Sequence, residues 1–291
     1  MVTVGNLGAD QGVLATRPQD NTPDNISDNS SRITSRITSC PTGNGIRHAE
    51  LEAKWYPTIL MGEDLNKWKQ AAAESAVAQV ADGMIVGLGS GSTAAFAVDA
   101  LGKRVRAGLR MIGIPTSERT AAQARSLEIP LATLDEYSQI DVTIDGADQV
   151  EKGKLDLIKG LGGALLREKI VADASKRLVI VVDQTKIVNH LGERGPVPIE
   201  VIPFGWQAAA RAITGLGAKA ALRKGAGGEP FMSDGGHYIL DCAFGPISNP
   251  EALAGELDHI VGVVEHGLFI GLTSEVHVAG ADGIQVLTSV R

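Results

Sequence analysis

The chain has 291 residues, 44% of them apolar and 21% charged, with a net charge of −7. That is the composition of a globular chain of one or two domains with material for a buried core. The acidic balance excludes a basic surface built to hold nucleic acid or an anionic membrane, although a few local donors suffice for one phosphate. Two distant cysteines, Cys40 and Cys242, make neither a disulfide framework nor a zinc site. They point to a reducing cytosol and hence a cytoplasmic protein. No apolar run reaches the roughly 18 residues of a membrane helix.

Residues 1–61 are rich in Ser, Thr, Asn and Gly and carry a tandem Ser-Arg-Ile-Thr at 31–38. They show no helical or strand period, and are expected to form a disordered or non-native N-terminal extension. Met61 stands just before the first convincing helix. From Asp64, the residues Leu65, Trp68, Ala72, Ala76 and Val80 fall at helical steps, with Gly83 placed to end the segment. Met84–Leu88 is a short apolar strand leading into Gly89-Ser90-Gly91-Ser92-Thr93 and a helix over about 94–101. Strand-like runs at 109–114, 140–144 and 178–182 alternate with helix-like stretches, the pattern of a parallel sheet in an α/β, Rossmann-like domain.

After Gly195 the order changes. Strands are expected at 197–202, 220–223, 238–243 and 260–264, with helices at 206–216 and 250–257. This β-α-β-β-α-β order is that of a ferredoxin-like unit. It is read as a small α+β domain, residues 196–266, inserted near the end of an α/β catalytic domain spanning 62–195 and 267–291. Strand-like runs at 275–279 and 285–288 are expected to return to the first sheet.

Three segments carry candidate chemistry. The glycine-rich turn at 87–93 joins a strand to a helix, so its backbone N–H groups, with Ser90, Ser92 and Thr93, favour an anion. It lacks the Gly-Lys-Ser/Thr of a P-loop, and Pro115-Thr116-Ser117 stands where a dinucleotide site wants an acid. A capped strand-to-helix turn is the competing reading. Asp145-Gly146-Ala147-Asp148 follows a strand, where open α/β sheets bind ligands and where two acids can acquire separate pKa values. A plain Asp-Gly turn is an equal alternative. Finally, Lys159-Gly160-Leu161-Gly162-Gly163 enters a helix carrying Glu168, pairing a cation for a developing oxyanion with a possible base. Taken alone, Arg167-Glu168-Lys169 reads as a solvated helix face. The six histidines form no ligand-spaced motif, so neither a metal nor a cofactor is expected.

Together GLGSGSTA, IDGAD, KGLGGALLREK and VVDQTK stand in the order and spacing of the type A ribose-5-phosphate isomerase family, which the chain resembles from about residue 64 onward. The resemblance implies a metal-independent isomerase interconverting D-ribose 5-phosphate and D-ribulose 5-phosphate in the non-oxidative pentose phosphate pathway, assembled as a homodimer or larger homo-oligomer. It implies Glu168 as catalytic base, Asp145 and Asp148 as the acidic pair and Lys159 as the active-site lysine. Ser90, Gly91, Ser92 and Thr93 form the phosphate and sugar loop, with Gly146, Ala147, Gly160, Gly162, Gly163, Lys69 and Lys186 completing the substrate site. Two departures stand out: Gln149 replaces an acid, and Ser90 stands where a threonine is frequent. A coenzyme A transferase on the same fold and a non-catalytic sugar-phosphate sensor are the rival readings.

Overall fold

The computed structural model describes residues 62–289, and the expectation for residues 1–61 lies outside them. The first helix, α1, spans Gly62–Val77 and buries Ala72, Ala73, Ala76 and Val77. It ends short of the expected Gly83, because the next N–H groups reach back only three residues, Gln79 to Ala76 and Val80 to Val77. Gly83 serves a later turn, at a φ of 83°. The chain continues through β1 (Ile85–Leu88), α2 (Ser92–Arg106), β2 (Ile112–Pro115), α3 (Glu118–Ser126) and β3 (Val142–Asp145). Short strands β4 (Gln149–Glu151) and β5 (Leu157–Ile158) precede α4 (Leu165–Asp173), β6 (Leu178–Asp183) and β7 (Ile187–Val188). Then come β8 (Val197–Val201), α5 (Trp206–Gly215), β9 (Lys219–Leu222), β10 (Tyr238–Ala243), α6 (Pro250–Asp258) and β11 (Val263–His266). The last strands are β12 (Leu268–Phe269), β13 (Glu275–Gly280) and β14 (Gly283–Thr288).

Six strands form the main sheet in the order β14-β13-β6-β3-β1-β2. All its neighbours are parallel except the terminal β13–β14 hairpin. Both faces are covered, as a parallel sheet requires. Along β6, Val179 and Val181 join the core under α1 and α2, while Leu178, Ile180 and Val182 face the other side. The chain leaves β1 for β2 on one side and later places β3 on the other. The gap beyond the carboxyl ends of β1 and β3 is therefore the topological switch point where such sheets bind ligands.

A second, wholly antiparallel sheet of order β11-β8-β10-β9 has α5 and α6 packed on it, closing a core of Val197, Ile199, Val201, Ile213, Leu240 and Leu257. This is the ferredoxin-like arrangement anticipated from the element order. β11 begins three residues later than expected, because Gly262 turns there with a φ of 93°.

A third sheet, β12-β5-β4-β7, was not legible in the pattern. Its strands are two or three residues long, too short to display a period. It joins the other two cores, with Leu157 and Phe269 packing toward the main sheet and Ile158 and Leu268 toward the second. The active-site segments leave from its ends. No helix among the described residues is long and apolar enough to cross a membrane.

Candidate active site

β3 delivers Asp145 to the switch point, and Gly89 at the end of β1 makes room for it. A Cβ at Gly89 would lie 2.2 Å from Asp145 Oδ1. That oxygen instead accepts the backbone N–H groups of Ser90 at 3.0 Å and Gly146 at 2.7 Å. Asp145 Oδ2 faces Lys159 Nζ at 3.0 Å, and Lys159 also donates to the Gly146 carbonyl at 2.5 Å. Glu168, in the first turn of α4, brings Oε2 to 3.4 Å from the same ammonium, within ion-pair range but without an aligned hydrogen bond. The Lys159 ammonium also lies over the Phe269 ring, 5.5 Å from its centroid.

All three charged side chains are at most 5% exposed. One ammonium thus serves two buried carboxylates, and the group as a whole favours one extra proton. Burial raises the Glu168 pKa to about 8, with Lys159 opposing and Asp145 reinforcing the rise. Asp145 is raised by burial too, against the pull of Lys159 and two backbone N–H groups. For Lys159, burial disfavours the charge, but the carboxylates outweigh it and its pKa is raised. The result is a permanent cation beside a carboxyl that ionises near neutral pH.

The cleft over this trio is lined by Ser90, Gly91, Ser92, Thr93, Gly146, Ala147, Asp148, Lys159, Gly160, Gly162, Glu168 and Lys186, most of the residues singled out from the sequence. Asp148 accepts the Leu161 N–H at 2.9 Å. Gly91 begins α2 at a φ of 102° and offers no side-chain cap, so the first N–H groups of the helix remain for an anion. Lys69 donates to Ser92 Oγ at 3.1 Å, and Lys186 ends a single 3₁₀ turn, 184–186, on the cleft wall. Asp145 and Lys69, also expected to bind substrate, are not among the lining residues, and two further contributors behave differently. The Ser90 hydroxyl turns away into a buried cluster with Thr116, Ser117 and Thr120, at 2.8, 2.7 and 3.2 Å. Gly163 does not line the cleft; a Cβ there would come 2.5 Å from the Phe231 ring. Gln149, at the position where an acid was expected, is buried and accepts the Gly192 N–H at 2.9 Å, tying down the loop after β7.

Arg223 and Phe269, which no site motif includes, touch the site from behind. Phe269 lies in the 266–269 stretch that shares the family resemblance, Arg223 carries no motif signal, and only the fold brings the two side chains to the site. Among the described residues, Asp258, Glu265 and His266 gather ligand atoms within 4.8 Å of one another. Lys169 Nζ sits 2.5 Å from Glu265 Oε1 and already supplies the positive charge of that cluster.

Comparison with known proteins bears on this site. A family model described as ribose 5-phosphate isomerase A (phosphoriboisomerase A) matches residues 112–283. The chain is 63% identical over 225 residues to ribose-5-phosphate isomerase A of Gloeobacter violaceus, covering 77% of this chain and 97% of that one. It is 52% identical to the Gluconobacter oxydans protein of the same name, covering 78% and 98%. Among solved structures, ribose 5-phosphate isomerase A from Methanocaldococcus jannaschii superposes with a TM-score of 0.74 at 42% identity, covering 79% of this chain and all (100%) of the other. A D-ribose-5-phosphate isomerase in complex with phospho-erythronic acid gives 0.75 at 37% identity, covering 77% and 99%.

Proposed function

The chain belongs to the ribose 5-phosphate isomerase A family, and from that premise we propose how its own residues carry out the reaction. It interconverts D-ribose 5-phosphate and D-ribulose 5-phosphate. The observation that carries the reading is Lys159 Nζ standing 3.0 Å from Asp145 and 3.4 Å from Glu168 in a buried trio of which Lys159 and Glu168 line the cleft.

The phosphate is held by the start of α2, Ser92, Thr93, Lys69 and Lys186, and the phospho-erythronic acid bound to a similar protein supports a phosphorylated sugar ligand. Ring opening falls to the acidic pair, Asp145 against Lys159 and Asp148 on the cleft wall. Ionised Glu168 then takes the proton from C2. The C2–H electrons form the C1–C2 double bond, and the former carbonyl oxygen gains negative charge and takes the proton of the C2 hydroxyl, so that the charge passes to O2. Glu168 returns its proton to C1 as the O2 electrons form the ketone. Lys159 neutralises the oxyanion in both halves of the exchange, in a site too dry to screen it. A base with a pKa near the working pH suits a carboxyl that must accept and then return the proton.

We assign the chain to the cytoplasm, and to a homodimer or larger homo-oligomer. Its exposed Phe204 and Val261 side chains support self-association, and light scattering tests it. The function itself is tested by incubating the chain with ribose 5-phosphate and following ribulose 5-phosphate by absorbance. Binding without conversion would mark a sensor, and indifference to the sugar a transferase.

A further inference from the structure

The turn that carries Lys159 into α4 is gripped from outside the cleft by one side chain of the second sheet. Arg223, just past β9, donates from Nη1 to the carbonyls of Gly160 and Leu161, each at 3.0 Å. Its other two nitrogens engage the Asp241 carboxylate, Nε to Oδ2 at 3.0 Å and Nη2 to Oδ1 at 2.5 Å. The Arg223 side chain is 11% exposed, and its guanidinium lies 5.7 Å from the centroid of the Phe231 ring. Phe231 in turn fills the space that a side chain at Gly163 would need. The fork has no freedom to swing away: the carboxylate, the ring and two carbonyls fix its plane.

We infer that Arg223 is a positioning residue for the isomerisation, holding the Gly160–Gly163 turn so that Lys159 and the Gly162 N–H stand ready for the oxyanion. The argument rests on the function proposed above. Asp148 holds one side of the turn through the Leu161 N–H, and Arg223 holds the other through two carbonyls. The Leu161 carbonyl belongs to the same peptide unit as the Gly162 N–H. A carbonyl that accepts from a guanidinium polarises its peptide, which makes that N–H a stronger donor. Gly162 lines the cleft, and its N–H donates to no group among the described residues. Lys159 precedes the turn directly, so a shift of the turn displaces the ammonium from the oxygen it must neutralise. Misplacement on the scale of 1 Å costs on the order of 10²-fold in rate. The phosphate-holding groups lie on other segments, so ground-state binding is expected to be nearly untouched.

The test compares kcat and KM for ribose 5-phosphate in the parent, Arg223→Ala, Arg223→Lys and Asp241→Asn, with thermal melts of each. Arg223→Ala is expected to lose about 30- to 100-fold in kcat with KM within about threefold, and added guanidinium ion to restore at least a third of the lost rate. Arg223→Lys, a single point donor, is expected to fall between the two. Asp241→Asn leaves the guanidinium in place with one acceptor instead of two, and is expected to lower the melting temperature and to lower kcat by less than Arg223→Lys does. If Arg223→Ala does not fold, the lysine and asparagine variants still decide. Equal kcat losses in those two, or an arginine variant that is folded and retains its kcat, would overturn the inference. A parent protein that fails to isomerise the sugar at all would instead remove the underlying function.

Discussion

Two clusters in this protein each join one lysine to buried or half-buried acidic groups, and both lysines lie over the Phe269 ring. Lys159 stands 5.5 Å and Lys169 5.1 Å from the centroid of that ring. In the first cluster the side chains of Asp145, Lys159 and Glu168 are at most 5% exposed. In the second, Lys169 pairs with Glu265, and His266 reaches Asp258, whose side chain is 61% exposed. Burial drives the His266 pKa down to about 4, so its ring is neutral, and burial lowers Lys169 as well. Every charge there has a partner or water. In the first cluster Glu168 Oε2 is buried without a hydrogen bond, and its carboxyl is pushed up to about 8. The same residue types give a reactive site where a buried group is left short of partners, and a structural contact where solvent and neighbours satisfy it.

Removing each lysine sharpens that contrast most. Lys159→Met is expected to lower kcat by roughly 10³-fold, because it removes the oxyanion's neutralising charge and strands two carboxylates. Lys169→Met is expected to reduce the melting temperature while keeping kcat within about fivefold, since Lys169 does not line the cleft. Comparable kcat losses in steady-state assays of the two would erase the distinction. The pH dependence comes next. Glu168 works as a base only when ionised, so log kcat/KM is expected to rise with slope one up to about pH 8 and then level. Stability should run the other way. The folded carboxyl holds its proton to about pH 8 and the unfolded one only to 4.5, so its stabilising contribution is full below pH 4.5 and lost as pH rises through 8. Thermal melts of Glu168→Gln, which carries no titrating carboxyl, are expected to lack that decline.

Smaller effects follow away from the trio. Ser92→Ala, which removes a hydroxyl beside Lys69 at the start of α2, is expected to raise KM by about three- to tenfold with kcat nearly constant. An effect confined to kcat would place the serine in the chemistry. Exhaustive chelation is expected to change nothing, since the proposed proton transfers use only carboxylates and an ammonium. Activity lost to EDTA and restored by a divalent ion would contradict that.

Sequence patterns reach different depths in these two regions. The main sheet was legible because its central strands are short apolar runs between helix-like stretches, and the ferredoxin-like sheet because its elements succeed one another in a recognisable order. The third sheet was hidden by strands of two or three residues, although it is what brings Asp148 and Lys159 to one place. In the site, each segment could be marked as reactive, but their meeting could not. Glu168 sits between two charged neighbours and reads as solvent-facing, whereas the fold leaves it 4% exposed beside Lys159. The family resemblance, rather than spacing, supplied its role. The inward turn of the Ser90 hydroxyl and the grip of Arg223 depend on residues from remote segments, which no local pattern reports.

The central claim is that Glu168 moves the proton between C2 and C1. Glu168→Gln keeps the volume but cannot carry that proton. The direct measurement is exchange of the C2 hydrogen of ribose 5-phosphate in heavy water, followed by proton NMR alongside ligand affinity. Exchange is expected to slow by roughly 10³–10⁴-fold with affinity little changed. Exchange at close to the parent rate would contradict the assignment and pass the role of base to Asp145 or Asp148.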